Sequence, residues 1–421
     1  FFIGIVLFTL AAAGCALATN TGWLIAMRAV QGIGAALMVP GSLAIVAKAY
    51  PKSERGKAIG IWAAASSAML VVGPLIGGVV ISATGDWGWR LLFAINVPLG
   101  AAVTAMLWLK VPRDPAGEHR HFDLVGGMLV SLALFLIAFG LTGQASMGST
   151  PAGQQLALFV GAGMATLAAF VVWEARSAAP MMPVTLFRNR SFSGANAVTF
   201  LTDFAVSANL FFLPMAVITG WGETAAAVSV LFLPMPILLS VISEPAGQLA
   251  DRFGPAPLIT LGCGVLAASC AGLALGFAAH DLWTVVLPLM VLMAVGQSLI
   301  VAPLSTAVMT SEDDADIIVA SGVNNAISRT AWLVAVAAMG GVAAMVFGAE
   351  LAGTPAEATG LSFGLPADAA LVASVEAVRV VASDTAFAAI AWVTAGLAAL
   401  AALIAGFTLP WTLGRPVPAA G

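Results

Sequence analysis

The sequence predicts an all-α integral membrane protein, on three observations. Of 421 residues, 61% are hydrophobic and only 9% charged, against about 25% charged in an ordinary soluble domain. The mean hydropathy of +1.03 belongs to the whole chain, so one buried core cannot account for it and the bilayer must act as the solvent. Uninterrupted apolar runs of about 18 to 25 residues recur along nearly the full length, each long enough to cross about 30 Å of hydrocarbon as a helix. They are continuous rather than alternating, and longer than the roughly ten residues of a barrel strand, which argues against a spanning barrel.

Twelve such runs are expected in order, at 1–18, 22–46, 57–82, 90–111, 123–143, 153–173, 192–217, 224–246, 257–279, 282–309, 320–348 and 384–410. Their orientation follows from the basic residues, which concentrate on the cytoplasmic side of bilayer proteins. With Phe1 on that side, the cytoplasmic loops hold Lys48, Lys52, Arg55, Lys57, Lys110, Arg113, Arg120, Arg176, Arg188, Arg190, Arg252 and Arg415, leaving only Arg90 and Arg379 outside. The carboxyl terminus is then cytoplasmic. The segment from Glu174 to Ser191, with Pro180, Pro183 and three Arg, reads as an interfacial connector and the best internal boundary. Glu312, Asp313, Asp314 and Asp316 read as a solvated cytoplasmic turn, and 350–384 as the longest external loop. Because Phe1 already lies inside an apolar run, the beginning of the protein reads as missing.

Composition also limits the chemistry. The net charge of −4 is small and the basic residues are dispersed, so no nucleic-acid partner is expected. Cys15, Cys263 and Cys270 lie in apolar runs without metal-ligand spacing, and no HExxH, GxSxG or Walker pattern occurs. No metal, cofactor or enzyme site is expected.

Charged side chains at the bilayer centre cost roughly 2.5 to 3.5 kcal/mol, so those present need a reason. Three qualify: Arg28, Asp203 and Arg329. Arg28 is followed by Gln31, Gly32, Gly34, Ala35 and Ala36, small residues that allow a close helix neighbour and would bury it in the bundle; snorkelling to the outer interface is the alternative. Asp203 is the one carboxylate near the middle of an expected span. A carboxylate there is a proton carrier if its neighbours are neutral, or a structural group satisfied by Asn196, Asn209 or Thr202. In the third run, Gly73, Pro74, Gly77 and Gly78 permit a kink and tight packing, as a sealing helix requires. Between the eighth and ninth runs, Gly247, Asp251, Arg252 and Gly254 fit a tight cytoplasmic turn, with Arg252 and Glu244 placed to form a breakable latch.

Together these residues resemble the major facilitator superfamily, and within it the fourteen-span drug:proton antiporters. RAVQGIG at 28–34 is similar to the fourth-helix motif, GPLIGG at 73–78 to the antiporter signature, and GQLADRFG at 247–254 to the cytoplasmic loop motif of the carboxyl half. DWGWR at 86–90 with NVPLG at 96–100, and FDLVG at 122–126, resemble the entries to the sixth and seventh helices. The loop motif departs from the pattern in having Pro255, Ala256 and Pro257 where basic residues are usual. The resemblance implies two pseudo-symmetric halves: 1–112, lacking its first two helices, and 192–421, with a two-helix insert and connector at 113–191. It implies an inner-membrane exporter of small amphipathic compounds driven by a proton gradient; one bundle is sufficient for alternating access, so a monomer is expected. Proton coupling or the central cavity would fall to Arg28, Gln31, Asp203, Asn209 and Arg329. The rivals are a facilitator-type carrier of one metabolite and a membrane sensor without transport.

Overall fold

The computed structural model of the chain describes residues 1–49, 69, 72–73, 76–110, 123–142, 152–177, 180–310, 317–365 and 373–411, and these are helices and turns. Nine helical segments among them are long and apolar enough to cross a membrane, beginning with Gly88–Leu109 and ending with Ala373–Thr408. They match nine of the twelve expected runs. Of the other three, 1–18 is the shorter apolar helix Phe2–Ala16, 22–46 falls within the helix Thr21–Ala49, and 57–82 lies largely outside the described residues.

The helices pack as two compact units, Phe1–His119 with Thr224–Val230, and Arg120–Glu223 with Leu231–Gly421. In the first unit, α1 (Phe2–Ala16) lies against α2 (Thr21–Ala49), α3 (Gly88–Ala94) and α4 (Asn96–Lys110). Asn20 starts α2 by accepting the Trp23 backbone N–H at 2.8 Å, as a polar residue before a helix should. Arg90 donates to the Ala18 carbonyl at 2.6 Å and lies over the Trp89 ring at 4.2 Å, which fixes the end of α1 to α3.

In the second unit, α5 (Leu124–Thr142) and α6 (Ala152–Arg176) pair with each other, and α5 also meets α12 (Ile317–Leu351). In the last turn of α6, the buried Glu174 accepts the Met182 backbone N–H at 3.0 Å and anchors the connector to α7 (Arg190–Met215). A single turn of helix, α8 (Ala225–Val230), belongs to the first unit. The second continues with α9 (Pro234–Phe253), α10 (Pro255–Gly276), α11 (Leu287–Thr310) and α13 (Ala373–Thr408). Its core lies where α10 meets α11 and α13, and where α7 meets α12 and α13.

Helix association in lipid depends on close packing rather than on water exclusion. The α10–α11 pair shows how the sequence provides it: a Cβ on Gly262 would stand 2.7 Å from the Gly296 carbonyl oxygen, and one on Gly296 would stand 2.8 Å from that of Gly262. Only hydrogen fits at either position.

Two expectations need correction. The stretch 247–253 is not a loop: it forms the last turns of α9, and the reversal falls on Gly254 alone (φ 83°, ψ 159°), with Pro255 opening α10. Glycine supplies the positive φ, and proline has no N–H to leave unsatisfied at a first helical position. The external segment expected at 350–384 is shorter, because α13 already begins at Ala373. No breaker occurs from there to Asp384, and Arg379 pairs with Glu376 one turn back at 2.5 Å, as i,i+3 partners on a helix do. Outside the spans, Asp281 caps the turn before α11, accepting the Trp283 and Thr284 N–H groups and the Thr284 hydroxyl. These bonds, the Thr284 hydroxyl first, hold its carboxyl below the usual range.

Replacing Gly262 or Gly296 by Leu should destabilise the second unit by about 1 to 3 kcal/mol or more, as overpacking does. Gly264→Leu, where no atom of the described residues lies within 4 Å of the added Cβ, should leave the melting temperature of the detergent-solubilised protein nearly unchanged. Equal melting for all three variants would refute the close-packing account.

Candidate functional site

The site is built on α7. Asn189 caps it, accepting the Ser191 N–H at 2.9 Å and the Phe192 N–H at 3.4 Å. Past the cap, Asn196, Thr199 and Asp203 recur at spacings of three and four and so share one face. That face meets a second polar row, Asn324 and Ser328, one turn apart on α12. Asn324 donates to Asn196 Oδ1 at 3.1 Å and to Thr199 Oγ1 at 2.7 Å. One turn further, the Ser328 hydroxyl donates to Asp203 Oδ2 at 2.5 Å. From α11, Gln297 Nε2 donates to Asp203 Oδ1 at 3.4 Å. Three helices therefore converge on one carboxylate.

Beside it lies a cavity of about 380 Å³, lined by Asp203, Gln297, Asn324, Asn325 and Ser328 among others, with Ile300 and Leu304 on its apolar side. Among the described residues Asp203 forms no ion pair. Arg329, next to Ser328, is exposed and acts on Asp203 only through space. Gln297 is 8% exposed, and its Oε1 is buried without a hydrogen-bond partner among the described residues. An unmet buried acceptor costs about 1 to 3 kcal/mol, and here it stands one amide rotation from the Asp203 carboxylate.

Asn209 belongs elsewhere. It is fully buried, donating to the Ala205 carbonyl at 2.8 Å, to Thr394 Oγ1 of α13 at 2.9 Å and to Cys270 Sγ of α10 at 3.6 Å. That contact ties α7 to α10 and α13 and is separate from the cavity. The partners that satisfy Asp203 are Ser328 and Gln297, neither of which a search for charged residues singles out. Their one signal is mid-span polarity: Gln297 within VGQSL, and Asn324 and Ser328 at helical spacing within VNNAIS.

The remaining candidates lie in other places. In the first unit Arg28 is exposed, donates to Gln31 Oε1 at 2.7 Å and stands 5.7 Å from the Phe93 ring centre, while Gln31 itself is buried. Of the gate residues, Gly73 is exposed and Pro74 lies outside the described residues. Gly78 is buried against α8, where a Cβ would stand 2.7 Å from the Ser229 side chain and 2.9 Å from the Ala225 carbonyl oxygen. Nearby, Ser82 Oγ accepts the Ala226 N–H at 3.1 Å. In the second unit Glu244 and Arg252 are both exposed; Glu244 accepts from Gln248 at 3.5 Å, and no ion pair joins it to Arg252 among the described residues. Gly247 is on α9, and Asp251 falls in its last turn.

Asn209→Ala should lower thermal stability by about 1 to 3 kcal/mol, the cost of a lost buried hydrogen bond, and leave ligand binding at the Asp203 cavity intact in a folded protein. Lost binding at unchanged stability would move Asn209 into the site.

A family model described as Major Facilitator Superfamily matches residues 1–336. An uncharacterized MFS-type transporter of Mycobacterium tuberculosis is 31% identical over 84% of this chain and 60% of its own length. Multidrug resistance protein Stp of the same organism is 32% identical over 83% of this chain and 64% of its own. The methylenomycin A resistance protein of Streptomyces coelicolor is 31% identical over 80% and 70%. The chain thus spans less than two thirds of the length of the first two relatives. A bacterial homolog of the human lysosomal transporter Spinster, in an inward-facing and occupied conformation, superposes with a TM-score of 0.67 at 16% identity, covering 97% of this chain and 82% of that one. At that identity the likeness concerns the fold alone.

Proposed function

The chain belongs to the Major Facilitator Superfamily, and from that premise we propose that it is the core of a proton-coupled antiporter exporting small amphipathic compounds. Relatives carry the names multidrug resistance and methylenomycin A resistance proteins, which favours a drug-like cargo over a single metabolite. In this reading twelve spans form two halves, 1–112 and 192–421, with a two-helix insert and connector at 113–191. The protein sits in the inner membrane with its carboxyl terminus cytoplasmic, works as a monomer, and exposes its cavity alternately to either side.

The observation that carries the coupling is the Asp203 site. Its carboxylate is held by neutral donors, Ser328 and Gln297, with no ion pair among the described residues. An arginine in direct contact would lock it ionised; hydroxyl and amide dipoles leave both protonation states accessible. In the ionised state Gln297 offers Nε2 to the carboxylate. On protonation the carboxyl becomes a donor, and rotation of the same amide presents Oε1 as its acceptor. Gln297 thus serves both states without importing charge. The proton neutralises a group that otherwise faces the cavity as an anion, so cargo and proton compete for it. One proton moving inward releases about 2.3 kcal/mol per 100 mV, which drives cargo outward without ATP.

Arg28 with Gln31 contributes a positive counterpart in the amino half, and Arg329 one in the carboxyl half. Gly73, Pro74, Gly77 and Gly78 shape the gate helix. Glu244, Gly247, Asp251, Arg252 and Gly254 set the inward/outward balance at the cytoplasmic end of α9.

In everted vesicles carrying the full-length protein, adding an exported compound should release protons from an acidified lumen. Asp203→Asn should abolish that release while the protein still folds, and Gln297→Leu should slow it at least about tenfold. Unchanged coupled release in Asp203→Asn would remove Asp203 from the mechanism.

A further inference from the structure

A second polar cavity in the same unit takes no part in this account. It measures about 340 Å³ and is lined by Trp221, Glu223, His280, Glu376 and Arg379 with neighbouring backbone. Three elements meet there: the segment after α7, the turn after α10, and the first turns of α13. Asp384 of α13 joins them, accepting Trp221 Nε1 at 2.9 Å and bonding His280 Nε2 at 2.6 Å. The Trp221 indole lies against the Phe277 and His280 rings, with centres 4.4 and 5.0 Å apart. His280 is 41% exposed at its side chain and is held with φ at 55°.

The charges around this cavity do not cancel. Glu376 is neutralised by Arg379, bound through Nε at 2.8 Å and Nη2 at 2.5 Å. Glu223 forms no ion pair and no side-chain hydrogen bond among the described residues. Asp384 is balanced only when His280 carries a proton. Asp281, adjacent to His280, is held by Thr284 and the backbone. With Glu376 cancelled by Arg379, the carboxylates of Glu223, Asp384 and Asp281 leave an excess of negative charge around the cavity, beside an indole. An indole and a free carboxylate together suit an amphipathic organic cation.

We propose that this cavity is a second binding site, separate from the Asp203 cavity, for an amphipathic organic cation held between Trp221 and Glu223. The inference does not rest on proton antiport.

Tetraphenylphosphonium is the probe, because it is an amphipathic cation of fixed charge. Equilibrium dialysis against the chain in lipid nanodiscs, corrected with empty nanodiscs, should show saturable binding. Glu223→Gln should weaken it about tenfold. Melting curves identify any variant that fails to fold, and Glu223→Asp, which keeps the charge, should then retain binding where Gln does not. Unaltered affinity in folded Glu223→Gln would overturn the proposal.

Discussion

A carboxylate inside a bundle of apolar helices has no water to solvate it, and whatever replaces that water decides what the carboxylate can do. Around Asp203 the replacement is a hydroxyl and an amide delivered by two other helices. This arrangement constrains everything near it. The α7–α12 contact must keep its register, or Ser328 leaves Asp203 and Asn324 leaves Asn196 and Thr199 together, since both pairs lie one helical turn apart. The α7–α10–α13 contact at Asn209 fixes the far side of the same helix. Polar pairing sets orientation here, and close packing of the kind at Gly262 and Gly296 supplies the association.

The two polar cavities of the second unit divide the chemistry between them. One is centred on a carboxylate with neutral donors. The other combines an indole, a carboxylate without an ion pair among the described residues and a histidine–aspartate pair. Neither needs a metal or a nucleotide for the roles assigned to it. In the first unit, the exposed Arg28 is held by the Gln31 amide oxygen.

Much of the helical layout was legible in the sequence because lipid imposes a length and a composition on every span. Asp203 was legible for the same reason: an acid at that depth stands out against its apolar neighbours. Its partners were not. Ser328 and Gln297 are uncharged and lie 125 and 94 residues away in the chain, so only the packing of α7, α11 and α12 brings them together. Asn209 shows the converse. Its mid-span polarity marked it as a cavity candidate, yet Thr394 and Cys270 bury it in a helix contact. The glycines of the motif at 247–254 suggest a turn, whereas a helix tolerates Gly247 and only the conformation of Gly254 breaks it. The early start of α13 was hidden because an Ala-rich segment with two acids and an arginine suits a loop or a helix equally by composition.

The central claim is that Asp203 gains and loses a proton inside the bundle. Infrared difference spectra of the chain in lipid, taken across an acid-to-alkaline step with isotope-labelled aspartate, report protonated carboxyls directly. A carboxylic C=O band should vanish on alkalinisation, be missing in Asp203→Asn, and shift in Gln297→Leu as its hydrogen bonding changes. A band unaffected by Asp203→Asn, or none in the acid state, would contradict the claim.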